Sequence, residues 1–139
     1  MKNWTYRNKK VNKLSDMPMG TIGFVYIITK EDGSYYVGKK SLYSTVKKPP
    51  LKGKLRKRTV TAESNWKEYK SSNKEVQQWV DTQREILHLC NSKIELTYFE
   101  NKALYCLSVL EDEKSMNGNI SGKIYKSSIM KEFIKPSLT

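Results

Sequence analysis

Acidic residues are nearly missing from the first sixty positions. Fifteen Lys and Arg stand there against three Asp and Glu, whereas positions 61–139 hold eleven of each, so the net charge of +12 belongs wholly to the first part of the chain. Within 39–58 (KKSLYSTVKKPPLKGKLRKR) acid is absent altogether, and nine of twenty residues are basic. A surface kept only for solubility mixes both signs, so an unbalanced field of this density selects a polyanion, most often nucleic-acid phosphate. An anionic membrane would call for an amphipathic helix beside the run, and none accompanies it. Cysteine is also scarce: Cys90 and Cys106 form no CxxC pair, which excludes a disulfide framework and the spaced ligands of a zinc module. No apolar run approaches the ~20 residues of a membrane span. The basic start MKNWTYRNKKVNKL lacks the apolar stretch of a secretory signal, so the reducing cytoplasm is the expected setting. Apolar residues are 37% of the chain, but aromatics at 11% supply one modest core.

What is present reads as alternating short elements. Residues 1–20 are polar and basic and end at Pro18 and Gly20, which predicts an N-terminal arm. Residues 21–29 (TIGFVYIIT) are β-branched and aromatic, hence a strand; Asp32-Gly33 is a hairpin turn, and 35–37 begins the returning strand. The basic run, broken by Pro49-Pro50 and Gly53, reads as a loop inserted at 39–58, ending in a short helix near 66–69. Asn73 is placed to cap a helix with apolar points Val76, Trp79 and Val80. Residues 86–90 (ILHLC) make a third strand. Ser92-x-x-Glu95 has the capping-box pattern for a further helix, with a buried stripe of Leu96, Phe99, Ala103, Leu107 and Leu110. Glu100, about 100° round from Phe99, falls at the edge of that stripe. Asn117-Gly118-Asn119 is a turn, and 123–134 is ambiguous. The order predicts an α/β (α+β) domain spanning 21–139, a three-stranded sheet with an N-terminal hairpin covered by helices.

The hairpin carries the most specific signal. Phe24-Val25-Tyr26 on one strand and Tyr36-Val37-Gly38 on the next, followed by Lys39, resemble the GIY-YIG nuclease superfamily, which includes homing endonucleases, excision-repair nucleases and restriction enzymes. The resemblance extends to the glutamate of Leu96-Thr97-Tyr98-Phe99-Glu100 and to the Met116-Asn117 pair, and covers roughly 21–120.

That resemblance implies a DNA endonuclease hydrolysing phosphodiesters. Glu100 would bind one Mg²⁺ (or Mn²⁺) per active site, and Tyr26 would assist the attacking water, its phenol depressed by Lys39 and Lys40. Tyr36 would stand beside it as a second site tyrosine. An arginine would clamp the scissile phosphate; Val46 stands eight residues beyond Gly38, and the nearest candidates are Arg58 and Arg56. Gly38 would let the backbone turn or a phosphate approach. DNA contacts would come from Lys39, Lys40, Lys47, Lys48, Lys52, Lys54 and Lys57, with Trp66 and Lys67 from an aromatic–cation segment that could equally be helix packing. So short a chain suits a phage or mobile element and leaves recognition to the basic run, the N-terminal arm or a second protomer of a homodimer. Taken alone, Glu100 reads as a solvated helix residue paired with Lys102 or the region of Lys93, both tyrosines as core or cross-strand aromatics, and His88 as a core or sheet-edge residue. The alternative function is a non-catalytic nucleic-acid-binding module on the same scaffold.

Overall fold

A computed structural model describes residues 3–133. It is a mixed α+β fold whose main sheet has five strands rather than three, in the order β2 (Lys9–Val11), β1 (Trp4–Tyr6), β7 (Gln83–Cys90), β3 (Gly23–Thr29), β4 (Tyr35–Ser41). The central pair forms as the sequence reading expects. β3 (Gly23–Thr29) and β4 (Tyr35–Ser41) are antiparallel, with Tyr26 opposite Gly38, and β7 (Gln83–Cys90) flanks β3 on the other side. Asp32 closes the hairpin by accepting from Ser34 N at 2.8 Å, while Gly33 takes φ +92°, a left-handed conformation cheap only for glycine.

The expected N-terminal arm is the first correction. Its described part supplies β1 (Trp4–Tyr6), parallel to β7, and β2 (Lys9–Val11), the far edge of the sheet, then a turn of 3-10 helix at Leu14–Asp16. Trp4 is the reason. Its ring meets Phe24 and Tyr26 edge-on at 4.8 and 5.3 Å, and its Nε1 donates to the Trp66 carbonyl at 2.8 Å. Burying a tryptophan with its one donor satisfied outweighs the solvation of the cationic flanks. Met1 and Lys2 lie outside the described residues.

Both faces of the sheet are covered, which explains why β3 is a continuous apolar run rather than an alternating one. On one face Trp4, Phe24, Tyr26, Ile28 and Ile86 pack with Trp66, Val76 and Trp79. The helix expected after Asn73 is a single turn, α1 (Lys74–Gln77), capped by the Asn73 side chain; Trp79 is buried just beyond it, while Val80 is exposed. The 66–69 segment is a turn, not a helix.

On the other face lies α2 (Lys93–Cys106), capped by Ser92 Oγ, which accepts from Glu95 N. Its inward residues are Leu96, Phe99, Glu100, Ala103 and Leu104. The stripe therefore runs through Leu104 instead of Leu107: the helix stops at Cys106, leaving Leu107 exposed and Leu110 buried in the following turn. Glu100 thus sits within the packed face, not at its edge.

The basic run is not a loop but a ribbon. β5 (Tyr43–Lys48) and β6 (Arg58–Glu63) pair antiparallel as a separate sheet, with Pro49, Pro50 and Gly53 at its tip. Thr45, Val46, Thr59, Val60 and Thr61 give it β-branched cross-strand pairs, which override the lysine content. After α2 come β8 (Asn119–Ile120), β9 (Ile124–Tyr125) and α3 (Lys126–Phe133). These resolve the 123–134 segment up to residue 133; its last residue lies outside the described residues. No helix among the described residues is long and apolar enough to cross a membrane.

Asn117 protects the exposed edge of β4. Its Oδ1 accepts from Val37 N at 3.0 Å and its Nδ2 donates to Val37 O at 2.7 Å, so one buried side chain imitates a neighbouring strand. Asn117→Ala orphans both backbone groups and costs about 2 kcal/mol. A thermal melt of the variant shows Tm lowered by roughly 5–8 °C; an unchanged Tm would remove this role.

Candidate active site at the edge of the sheet

The pairing of Tyr26 with Gly38 sets the geometry. A Cβ on Gly38 would stand 2.5 Å from Tyr26 Oη, 2.7 Å from its Cζ and 3.1 Å from Tyr36 Cε1. The glycine therefore makes room for the Tyr26 ring to lie across β4, and not, as the sequence reading had it, for a turn or a phosphate.

Three phenols gather there. Tyr26 is 1% exposed, with the Tyr36 ring 6.4 Å away and the Tyr69 ring edge-on at 6.0 Å. Burial pushes the Tyr26 phenol far above its ordinary value, and the neighbouring Tyr69, Tyr36 and Glu100 push it further. This reverses the expected depression by Lys39 and Lys40. Neither ammonium is spent on Tyr26: Lys39 turns to α2, and Lys40 Nζ sits 4.2 Å above the Tyr69 ring, where burial lowers its own pKa. Tyr26 is a neutral phenol at physiological pH.

Burial raises the Tyr69 phenol as well. Ser72 Oγ lies 3.2 Å from Tyr36 Oη, and Ser72 is exposed. The Tyr36 hydroxyl is thus tied to a solvent-exposed serine.

Glu100 reaches the site from the other face. Lys39 Nζ donates to Thr97 Oγ1 at 3.1 Å and lies 3.9 Å from Glu100 Oε1, an ion pair beyond hydrogen-bond reach. With 22% of its side chain exposed, the carboxyl is desolvated enough that its pKa is raised, Lys39 opposing this only in part. A half-buried carboxylate held at the sheet edge, short of full solvation, suits a hard cation that brings its own waters.

Tyr69 was legible only as one ring in an aromatic–cation segment. Nothing local marks it as a partner of Tyr26, forty-three positions earlier. Its placement depends on Arg84, buried in β7, whose guanidinium donates to the carbonyls of Lys67 at 2.9 Å and Tyr69 at 3.0 Å and stacks 4.5 Å over Trp4. Burial draws that guanidinium down to about 10, which still leaves it charged at neutral pH.

Other sequence-derived candidates stand elsewhere. Trp66, read as a DNA contact, is fully buried against Phe24, its Nε1 donating to Glu63 Oε2 at 2.8 Å; it is a core residue. Lys67 pairs with Glu63 at 3.7 Å. Arg58 opens β6 opposite Lys48, five residues from the ribbon base at Tyr43, about 17 Å along a strand. Arg56 lies in the tip beyond it. The fold does not gather either arginine with the phenols; the side-chain cation seated on one of their rings is Lys40, over Tyr69. Lys47, Lys48, Lys52, Lys54 and Lys57 are all exposed on the ribbon.

No curated protein and no solved structure matches this chain. Residues 4–128 match the model of the family described as "Putative endonuclease segE, GIY-YIG domain". That span takes in β1, the hairpin with Tyr26 and Tyr36, the ribbon, Tyr69, Glu100 and Asn117. The chain belongs to this GIY-YIG endonuclease-domain family and, by that membership, is a nuclease.

Proposed function

We propose that the protein is a metal-dependent DNA endonuclease whose reacting centre is the Tyr26–Tyr69–Glu100 edge of the sheet. The observation that carries this reading is the convergence of a neutral buried phenol, two further tyrosines packed against it and a desolvated carboxylate. Glu100 would hold a divalent cation, Mg²⁺ or Mn²⁺, which when bound supplies Lewis-acid neutralisation of the leaving oxygen.

The chain's own groups handle the proton. As water attacks phosphorus and the P–O bond breaks, Tyr26 Oη takes the water's proton while passing its own to Tyr69 Oη. Tyr69 in turn passes a proton to Ser72 and solvent. No tyrosinate is required at any stage, which is consistent with the raised Tyr26 phenol. Lys40, half-buried beside Tyr69, would meet a non-bridging phosphate oxygen. The free Cys90 and Cys106 suit work in a reducing cytoplasm.

The test is a supercoiled-plasmid nicking assay in Mg²⁺, repeated in EDTA, with Tyr26→Phe and Tyr69→Phe alongside. Both variants keep their rings, and each loses about a hundredfold in rate. Wild-type nicking that persists in EDTA sinks the metal. Tight binding with no cleavage of duplex, branched or single-stranded DNA turns the assignment to a non-catalytic nucleic-acid-binding module.

A further inference from the structure

The β5–β6 ribbon is hydrogen-bonded to no other sheet, and of its twelve strand residues only Val60 is half-buried. Two-stranded hairpins are marginal in water, and like charges placed directly opposite weaken them further. Here Lys48 stands opposite Arg58. Beside that pair, on the same face, Val46 stands opposite Val60, and Val46 is 40% exposed. The face therefore carries two features that leave a free ribbon marginal, a repelling cation pair and a partly exposed apolar pair. The opposite face holds Thr45 across from Thr61 and Lys47 across from Thr59. The tip adds Lys52, Lys54, Arg56 and Lys57, and no acid intervenes until Glu63 at the base.

We propose that this ribbon enters the major groove of duplex DNA, with Val46, Val60, Lys48 and Arg58 turned to the base edges. The inference rests on the nuclease reading for its ligand, DNA, but not for its geometry. Two strands lie about 5 Å apart, and with their side chains they fill a groove about 12 Å wide, whereas a minor groove of about 6 Å does not admit them. The Arg58 fork matches the O6 and N7 of guanine, the valines match thymine methyl groups, and the tip cations meet flanking phosphates. The narrow major groove of duplex RNA shuts the ribbon out. Arg58 thus serves recognition rather than the scissile phosphate.

The test uses the full chain in EDTA, so that binding is read without cleavage. Fluorescence anisotropy on a duplex oligonucleotide is challenged with methyl green, a major-groove ligand, or distamycin, a minor-groove ligand. Methyl green displaces the protein and distamycin does not. Lys48→Ala combined with Arg58→Ala weakens binding about tenfold. The same variant keeps or raises Tm, because a repulsive pair is gone, and in cleavage it raises KM more than it lowers kcat. Displacement by distamycin alone, equal binding of duplex RNA, or wild-type affinity of the double variant overturns the proposal. Groove-selective binding without any nicking would instead sink the nuclease reading and leave the ribbon standing.

Discussion

Glu100→Gln slows cleavage by about a hundredfold or more and stabilises the fold. The activity term follows from the role proposed for the carboxylate as cation holder: neutralising it withdraws several kcal/mol of charge stabilisation, about a hundred- to a thousandfold in rate. The stability term follows from burial. The Glu100 carboxyl has a raised pKa, first because it is desolvated, so the folded chain holds that proton more tightly than the unfolded chain. Stability from this group is greatest below the ordinary glutamate pKa and falls as pH climbs through the raised, folded-state value. At neutral pH the buried charge is a cost, which Lys39 offsets only partly. Melts of wild type and Glu100→Gln therefore separate at neutral pH, with the variant higher, and converge as the pH is lowered. Loss of cleavage accompanied by a lower Tm would make Glu100 a structural residue, and wild-type cleavage would remove it from the site. Binding to DNA in EDTA stays intact in the variant, since the ribbon is untouched.

Gly38→Ala strikes fold and site together. The added methyl meets Tyr26 Oη at 2.5 Å and Cζ at 2.7 Å, both in a fully buried ring hemmed by Trp4, Phe24 and Tyr69. The ring has nowhere to move cheaply, so overpacking costs about 3 kcal/mol and lowers Tm by roughly 10 °C. Cleavage falls further than stability explains, because the displaced phenol leaves Tyr69. Adding Tyr26→Phe removes the oxygen and the nearest contact but not the ring carbon, so the double variant recovers part of the Tm and none of the activity. Full activity in Gly38→Ala at a temperature where the variant is folded would show that the position of Tyr26 is immaterial.

The division between what the chain spells out and what it hides runs along contact distance. The β3–β4 hairpin, its Asp32-Gly33 turn, the Ser92 cap of α2 and the Asn73 cap are short-range devices, each written within a few consecutive residues. The two motif tyrosines stood out because they sit in short motifs at recognisable positions, whereas Glu100 stood out only through the family resemblance, its local pattern reading as a solvated helix residue. The wider core did not. Trp4 looked like part of a solvated arm because five cations surround it between Lys2 and Lys13, and only docking on β7 and Trp66 buries it.

Sequence alone determined the charge asymmetry, the paired strands and their motif tyrosines, the glutamate on a capped helix, and with them the nuclease family. Tertiary structure decided the rest. It set the ionisation of Tyr26, since a pKa follows the solvent and charges around an atom and not its neighbours in sequence. It brought Tyr69 to that phenol through the Arg84 clamp, and it sent Trp66 inward and Arg58 outward. The same composition of lysines and arginines that only announced a polyanionic partner became, once paired as β5 and β6, a ribbon with two distinct faces, because strand register and not charge count fixes which side chains point together.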